Sequence, residues 1–197
     1  MIIAPLFFFT LLYSLNANIN PHNFTHRVAI AVSVDDEPKG EFIIGLWHLN
    51  LEKSVDNFLG LCQGRSEIKH ESGHKFDMKG LAFYEIVENQ YLKSGDISPN
   101  HGWGGNQTFF KDGRWTSETS NYGYEPGILV HTQSDNRDVG SEFFIWITKG
   151  PLHPVYVPFG LVYKGLDLVK YLVTTAGTNK GKPKRDVIIT GCRIVHN

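Results

Sequence analysis

The chain has 197 residues, 41% of them hydrophobic, with 19 basic and 20 acidic side chains for a formal net charge of −1. That length suits one domain plus a leader, and a body of about 170 residues can bury roughly 70% of its unfolded surface without metal or disulfide staples. The balanced charge gives no electrostatic case for nucleic acid or an anionic membrane as partner.

Ile2 to Leu15 is almost wholly apolar, centred on Leu6-Phe7-Phe8-Phe9 and Leu11-Leu12, and no Lys, Arg, Asp or Glu precedes Arg27. The run is shorter than the ~20 apolar residues of a membrane span. It reads as a secretory signal over residues 1–17, cleaved near the small Ala17, followed by a linker (18–26) and one domain (27–197). An uncleaved anchor and a cytosolic chain with an apolar start are the competing readings. The signal reading sends the protein to the endoplasmic reticulum lumen or out of the cell, free of the membrane after cleavage. Asn23-Phe24-Thr25 and Asn106-Gln107-Thr108 are glycosylation candidates in that compartment, although such triplets also arise by chance.

Arg27 to Val34 is rich in β-branched residues and predicts a strand. Asp35 to Gly40 reads as a turn carried by Pro38 and Gly40, and Glu41 to Leu49 as the returning strand of a hairpin. Ser54 to Leu61 places Val55, Phe58, Leu59 and Leu61 at helical spacing, with Ser54 available as a cap. A polar stretch, Gln63 to Asp77, precedes a strand at Leu81 to Val87. Pro99 to Pro126, rich in Gly, Asn, Ser and aromatics, reads as long ordered loops. Further strands are expected at Ile128–His131, Phe143–Thr148, Val155–Val162 and Val187–Val195, with a second helix from Leu166 to Val173. Many strands with two separated helical stripes predict a mainly β fold: a closed antiparallel β-barrel capped by two α-helices.

Two motifs carry less than they advertise. His70-Glu71-Ser72-Gly73-His74 spells the zinc-protease helix signature, but Gly73 weakens a helix and no apolar stripe surrounds it. Lys180-Gly181-Lys182-Pro183-Lys184-Arg185 looks like a basic tag, yet Gly and Pro before a final strand predict a solvated loop. No metal or other cofactor is expected. Cys62 and Cys192 are the only cysteines, and as residues alone they read as two small buried hydrophobes.

Several segments share an order: Phe83-Tyr84-Glu85-Ile86-Val87, Ser94-Gly95-Asp96, Gly102-Trp103-Gly104-Gly105, Pro126-Gly127-Ile128-Leu129, Gly140-Ser141-Glu142-Phe143-Phe144-Ile145 and Pro158-Phe159-Gly160. Together they resemble the cyclophilin family of peptidyl-prolyl isomerases from about Arg27 onward. The resemblance implies the barrel architecture and a peptide groove. It also implies an enlarged surface loop at Gln63 to Asp77, and a Cys62–Cys192 disulfide, because cyclophilins with such a loop carry cysteines at these positions. An oxidising compartment favours that bridge.

Rotating an X–Pro bond crosses roughly 18–20 kcal/mol of amide resonance. Family enzymes lower this with an apolar proline pocket and an arginine that donates to the prolyl nitrogen, an interaction strongest in the twisted state. The resemblance puts that arginine at Glu85, whose ionised carboxylate only accepts. A family glutamine falls at Lys93, a phenylalanine at Gln90 and a pocket methionine at Tyr91. The peptide-binding asparagine becomes Gln133, the residue after it Ser134, and a glutamine Glu142. A tryptophan falls near Leu152 and the pocket histidine at Tyr156. Phe144, the pocket floor, is kept, as are Gly102, Gly104 and Gly105.

No intact catalytic residue is therefore expected. A Glu85–Lys93 ion pair is the leading expectation for the groove, with Phe144, Tyr91, Gln133, Leu152, Tyr156, Gly102 and Gly104 contacting a ligand. The reading is a monomeric, secretory-pathway cyclophilin-like protein with weak or lost isomerase activity that binds a peptide or protein, proline-containing or not, with weak or no cyclosporin binding. Its rivals are a slow but genuine isomerase assisting folding, kept alive by Phe144, and an interaction module with a vestigial groove.

Overall fold

A computed structural model describes residues 23–65, 77–97, 114–133, 136–150 and 153–196. The expected leader, the 70–74 motif, Gly102, Gly104, Asn106, Ser134 and Leu152 lie outside the described residues.

Two strands, β1 (His26–Val34) and β2 (Glu37–Leu46), form the opening hairpin, followed by helix α1 (Glu52–Cys62). Then come β3 (Glu85–Val87), β4 (Tyr91–Ser94), β5 (Trp115–Thr116), β6 (Ile128–Thr132), β7 (Asp138–Val139), β8 (Phe143–Trp146) and β9 (Tyr156–Lys164). Helix α2 (Leu166–Ala176) and β10 (Val187–Ile194) complete the described elements. Eight strands form one antiparallel sheet in the order β10-β1-β2-β9-β6-β8-β4-β3, while β5 and β7 pair separately.

The segment leading into β3 also bonds the far end of this sheet. The Gly80 and Phe83 amides donate to the Ile189 and Val187 carbonyls, and the Ile189 amide donates to Leu81, each at 2.8 Å. The sheet thereby curls back on itself, which removes the exposed edges an open sheet would leave. Ile86, Leu92, Leu129 and Ile145 point inward with no exposure. Each contributes about 1.5–3 kcal/mol by leaving water. Phe58 of α1 meets Phe143 and Phe159 edge-on at 5.2 and 5.6 Å, which seats the helix on the core. Helix α2 buries Val169, Leu172, Val173 and Ala176.

Three local expectations are corrected. The first turn is only Asp35-Asp36, both at positive φ (49° and 64°), and Pro38 lies inside β2. A tight hairpin needs two left-handed residues, which Asp tolerates. Pro38 survives because β2 meets β9 only at residues 43–46, so its missing N–H faces no second strand. Ser54 does not cap α1, whose N-cap is Leu51 without a side-chain bond. The Glu118 carboxylate caps instead, accepting from the Lys53 and Ser54 amides at 2.9 Å. Finally, β4, β5 and β7 fall in stretches for which the sequence predicts no strand.

Cys62, the last residue of α1, is disulfide-bonded to Cys192 on β10, with Cα atoms 5.1 Å apart and a sequence separation of 130. A loop this long gives about 5 kcal/mol in the chain-entropy account. No helix among the described residues is long and apolar enough to cross a membrane.

Candidate functional site

Successive strand residues point to opposite faces, so the strands that bury Ile86, Leu92 and Ile145 turn Glu85, Tyr91, Lys93 and Phe144 outward. Register assembles them: Glu85 lies opposite Lys93, Lys93 opposite Phe144, and Tyr91 opposite Trp146. The hydroxyl-bearing edge of this patch is completed by Tyr156 at the start of β9.

Four aromatic rings close into a circuit. Tyr91 meets Phe144 at 5.4 Å and Trp146 at 4.5 Å, while Tyr156 meets Phe144 at 5.5 Å and Trp146 at 5.4 Å. Phe144 is consequently only 5% exposed. Its face is covered further by the Lys93 ammonium, 5.0 Å from the ring centroid and 5.3 Å from that of Tyr84. Such cation–π placement favours a charge that has partly left water.

Lys93 pairs with Glu142 at 3.0 Å rather than with Glu85, and both side chains are largely buried, at 17% and 14% exposure. The Tyr84 hydroxyl donates to the same Glu142 oxygen. Glu85 instead accepts from the Tyr91 hydroxyl at 2.5 Å. The expected Glu85–Lys93 ion pair is thus replaced by two separate contacts, Lys93 with Glu142 and Glu85 with the Tyr91 hydroxyl. Burial, then the Glu142 bond, raises the Tyr84 pKa; burial, then the Glu85 bond, raises that of Tyr91; burial and the Glu85 charge raise that of Tyr156.

The loop after α2 closes on Glu85 from behind. Gly181 has φ 81°, and its carbonyl accepts from the Ile86 amide at 2.8 Å. A Cβ there would stand 2.9 Å from Glu85 Cγ, so only glycine allows this approach. Gly95, which follows β4, is similarly constrained: at φ 93° its Cβ would meet the Ser141 carbonyl at 2.3 Å.

At the other end, Gln133 donates through Nε2 to the Pro154 carbonyl at 3.2 Å. Its buried Oε1 has no partner among the described residues. It lines an open cavity of about 280 Å³ with Tyr156, Tyr124, Arg137 and Glu118. Asn23 is exposed, whereas the next two residues are anchored: Phe24 packs on Trp47 and Tyr163, and the Thr25 hydroxyl donates to the Leu46 carbonyl at 3.0 Å.

Sequence reasoning passed over one buried network. The Ser54 hydroxyl donates to Glu118 at 2.6 Å and therefore accepts from His131 Nε2 at 2.8 Å. That fixes the Nε2–H tautomer and leaves His131 Nδ1 without a partner among the described residues. Burial pushes the His131 pKa down to about 3. The trio is not a nucleophilic relay, because the carboxylate holds the serine rather than the imidazole. Its signal in the sequence is a histidine on an apolar strand, indistinguishable there from any buried polar residue.

Among the described residues no group of three His, Cys, Asp or Glu could hold a metal. A curled antiparallel sheet with two helices is the architecture of cyclophilin-type prolyl isomerase folds. The sequence profile of the family described as cyclophilin type peptidyl-prolyl cis-trans isomerase/CLD matches residues 29–194, and the chain belongs to that family. It is 32% identical over 173 residues to the peptidyl-prolyl cis-trans isomerase CYP21-1 of Arabidopsis thaliana, covering 87% of this chain and 76% of the relative. It is 27% identical over 166 residues to the NK-tumor recognition proteins of mouse and human, covering 83% of this chain but only 11% of each relative.

Proposed function

We propose that this cyclophilin-type protein has weak or no isomerase activity and uses its remodelled groove to bind a peptide or protein partner in the secretory pathway. The observation that carries the reading is Glu85, a hydrogen-bonded acceptor where catalysis needs a donor. Losing one preorganised donor commonly costs ~3–4 kcal/mol, or 10²–10³ in rate. Lys93 does not replace it, being committed to Glu142 and lacking the planar fork of arginine. A proline ring seeking Phe144 must also displace the Lys93 ammonium and part the tyrosines above it.

The apolar segment at residues 2–15 supports secretory targeting, and so does a disulfide joining α1 to the last strand, since such bridges persist in oxidising compartments. Retention of Phe144 in its family position supports a second reading, a slow but genuine isomerase.

The test is a prolyl-isomerase assay on the wild type beside Glu85→Arg, alone and combined with Lys93→Gln, Tyr91→Met and Tyr156→His. The expected result is a wild type at least about 100-fold slower than the combined variant, with Glu85→Arg between them. A wild type as fast as the combined variant overturns the reading.

A further inference from the structure

The groove already holds one lysine: Lys93 lies on aromatic faces with its ammonium against Glu142. Beside it stands a second carboxylate, one with no paired cation among the described residues. Glu85 is half-buried, and its hydrogen bond is to the neutral Tyr91 hydroxyl. Tyr156 lies close enough to feel its charge. Lys180 and Lys182 flank Gly181 behind it, yet both are exposed and neither comes within ion-pair distance. Among the described residues Lys93 and Glu142 pair with each other, and Glu85 keeps a negative charge with no ion-pair partner where the family resemblance places a positive one.

We infer that the groove recognises an extended peptide through a lysine or arginine side chain that pairs with Glu85 along the Tyr91 and Tyr156 rings. The inference rests on the proposed peptide-binding function and names its ligand class. The aliphatic stem of such a side chain lies on aromatic surface while its head reaches the carboxylate. Recognition moves from the buried floor, where Phe144 is covered, to the rim, where charge complementarity selects the partner and repels acidic ones.

The experiment is fluorescence anisotropy with labelled, capped Ala-Ala-X-Pro-Ala-Ala and Ala-Ala-X-Ala-Ala-Ala peptides in which X is Lys, Arg, norleucine or Glu. Binding is read at 50 and 300 mM NaCl on the wild type and on Glu85→Gln. Lys and Arg peptides should bind at least about tenfold more tightly than norleucine peptides, whether or not proline follows. The preference should shrink at high salt and vanish in Glu85→Gln, which keeps the shape and the acceptor oxygen. Equal binding of Lys and norleucine peptides to the wild type overturns the basic-ligand inference and leaves a peptide groove standing. Binding of no peptide overturns the groove reading as well. A Lys preference that survives in Glu85→Gln places the selectivity elsewhere and also overturns the inference.

Discussion

The inner and outer faces of β3, β4 and β8 are made by alternate residues of the same short strands, and they differ in kind. Inward, Ile86, Leu92 and Ile145 form a dry core of the kind any such barrel requires. Outward, β3 and β4 present Glu85, Tyr91 and Lys93, joined by Glu142 just before β8, and under the proposed reading these stand where the family resemblance places an arginine, a methionine and two glutamines. Because strand side chains alternate, a chain can rebuild a reaction surface while leaving the scaffold beneath it intact. Membership of an enzyme family is therefore evidence about the inner set and says little about chemistry on the outer one.

The sharpest way to break this comparison is to truncate one residue from each face. Leu92→Ala opens a cavity in a site with no exposure and should lower unfolding free energy by about 3–4 kcal/mol in a denaturant melt. A loss below about 1 kcal/mol would show that the inner face is not the load-carrying one.

The buried His131 gives the next largest effect. Unfolded, its imidazole titrates near 6.5; folded, near 3. Between those values the unfolded state binds a proton that the folded state refuses, so stability falls as pH drops, by about 1.4 kcal/mol per unit. His131→Met should remove that component, giving a visibly flatter stability profile between pH 6 and pH 4. Parallel profiles for wild type and variant would contradict the assignment.

On the outer face, Glu142→Gln leaves the Lys93 ammonium without its counter-charge in a mostly enclosed position. A cost of about 1–2 kcal/mol is expected, less than for a fully buried pair. Tyr91→Phe, which removes only the hydroxyl held by Glu85, should cost under about 1 kcal/mol in the same melt. Its groove position is half-exposed.

Much of the fold was legible in the sequence because its signals are local and repetitive. The β-branched run at Arg27–Val34, the stripe Val55, Phe58, Leu59 and the final Val187–Ile189 all lie in the elements they predict. Much of what was missed depends on partners distant in sequence. Strand β4 is only four residues long, and besides its local pairing with β3 it is held by β8, which begins at Phe143. The cap of α1 comes from Glu118, 64 residues beyond Ser54. Within the site, the family resemblance could mark Glu85, Lys93 and Tyr91 as changed, but not how they regrouped. The choice of Glu142 over Glu85 as the partner of Lys93 goes with the Tyr84 hydroxyl, which shares the same Glu142 oxygen and which no spacing encodes.

The central proposal, an intact scaffold under a surface with weak or lost isomerase activity, is tested most directly by NMR exchange spectroscopy on a prolyl tetrapeptide with catalytic amounts of the wild-type protein. The account predicts that cis and trans forms still interconvert on the uncatalysed scale of tens to hundreds of seconds, while the protein's own spectrum shows a folded domain. Exchange cross-peaks building up within milliseconds would contradict it, and would require a donor to the prolyl nitrogen other than the residue at position 85.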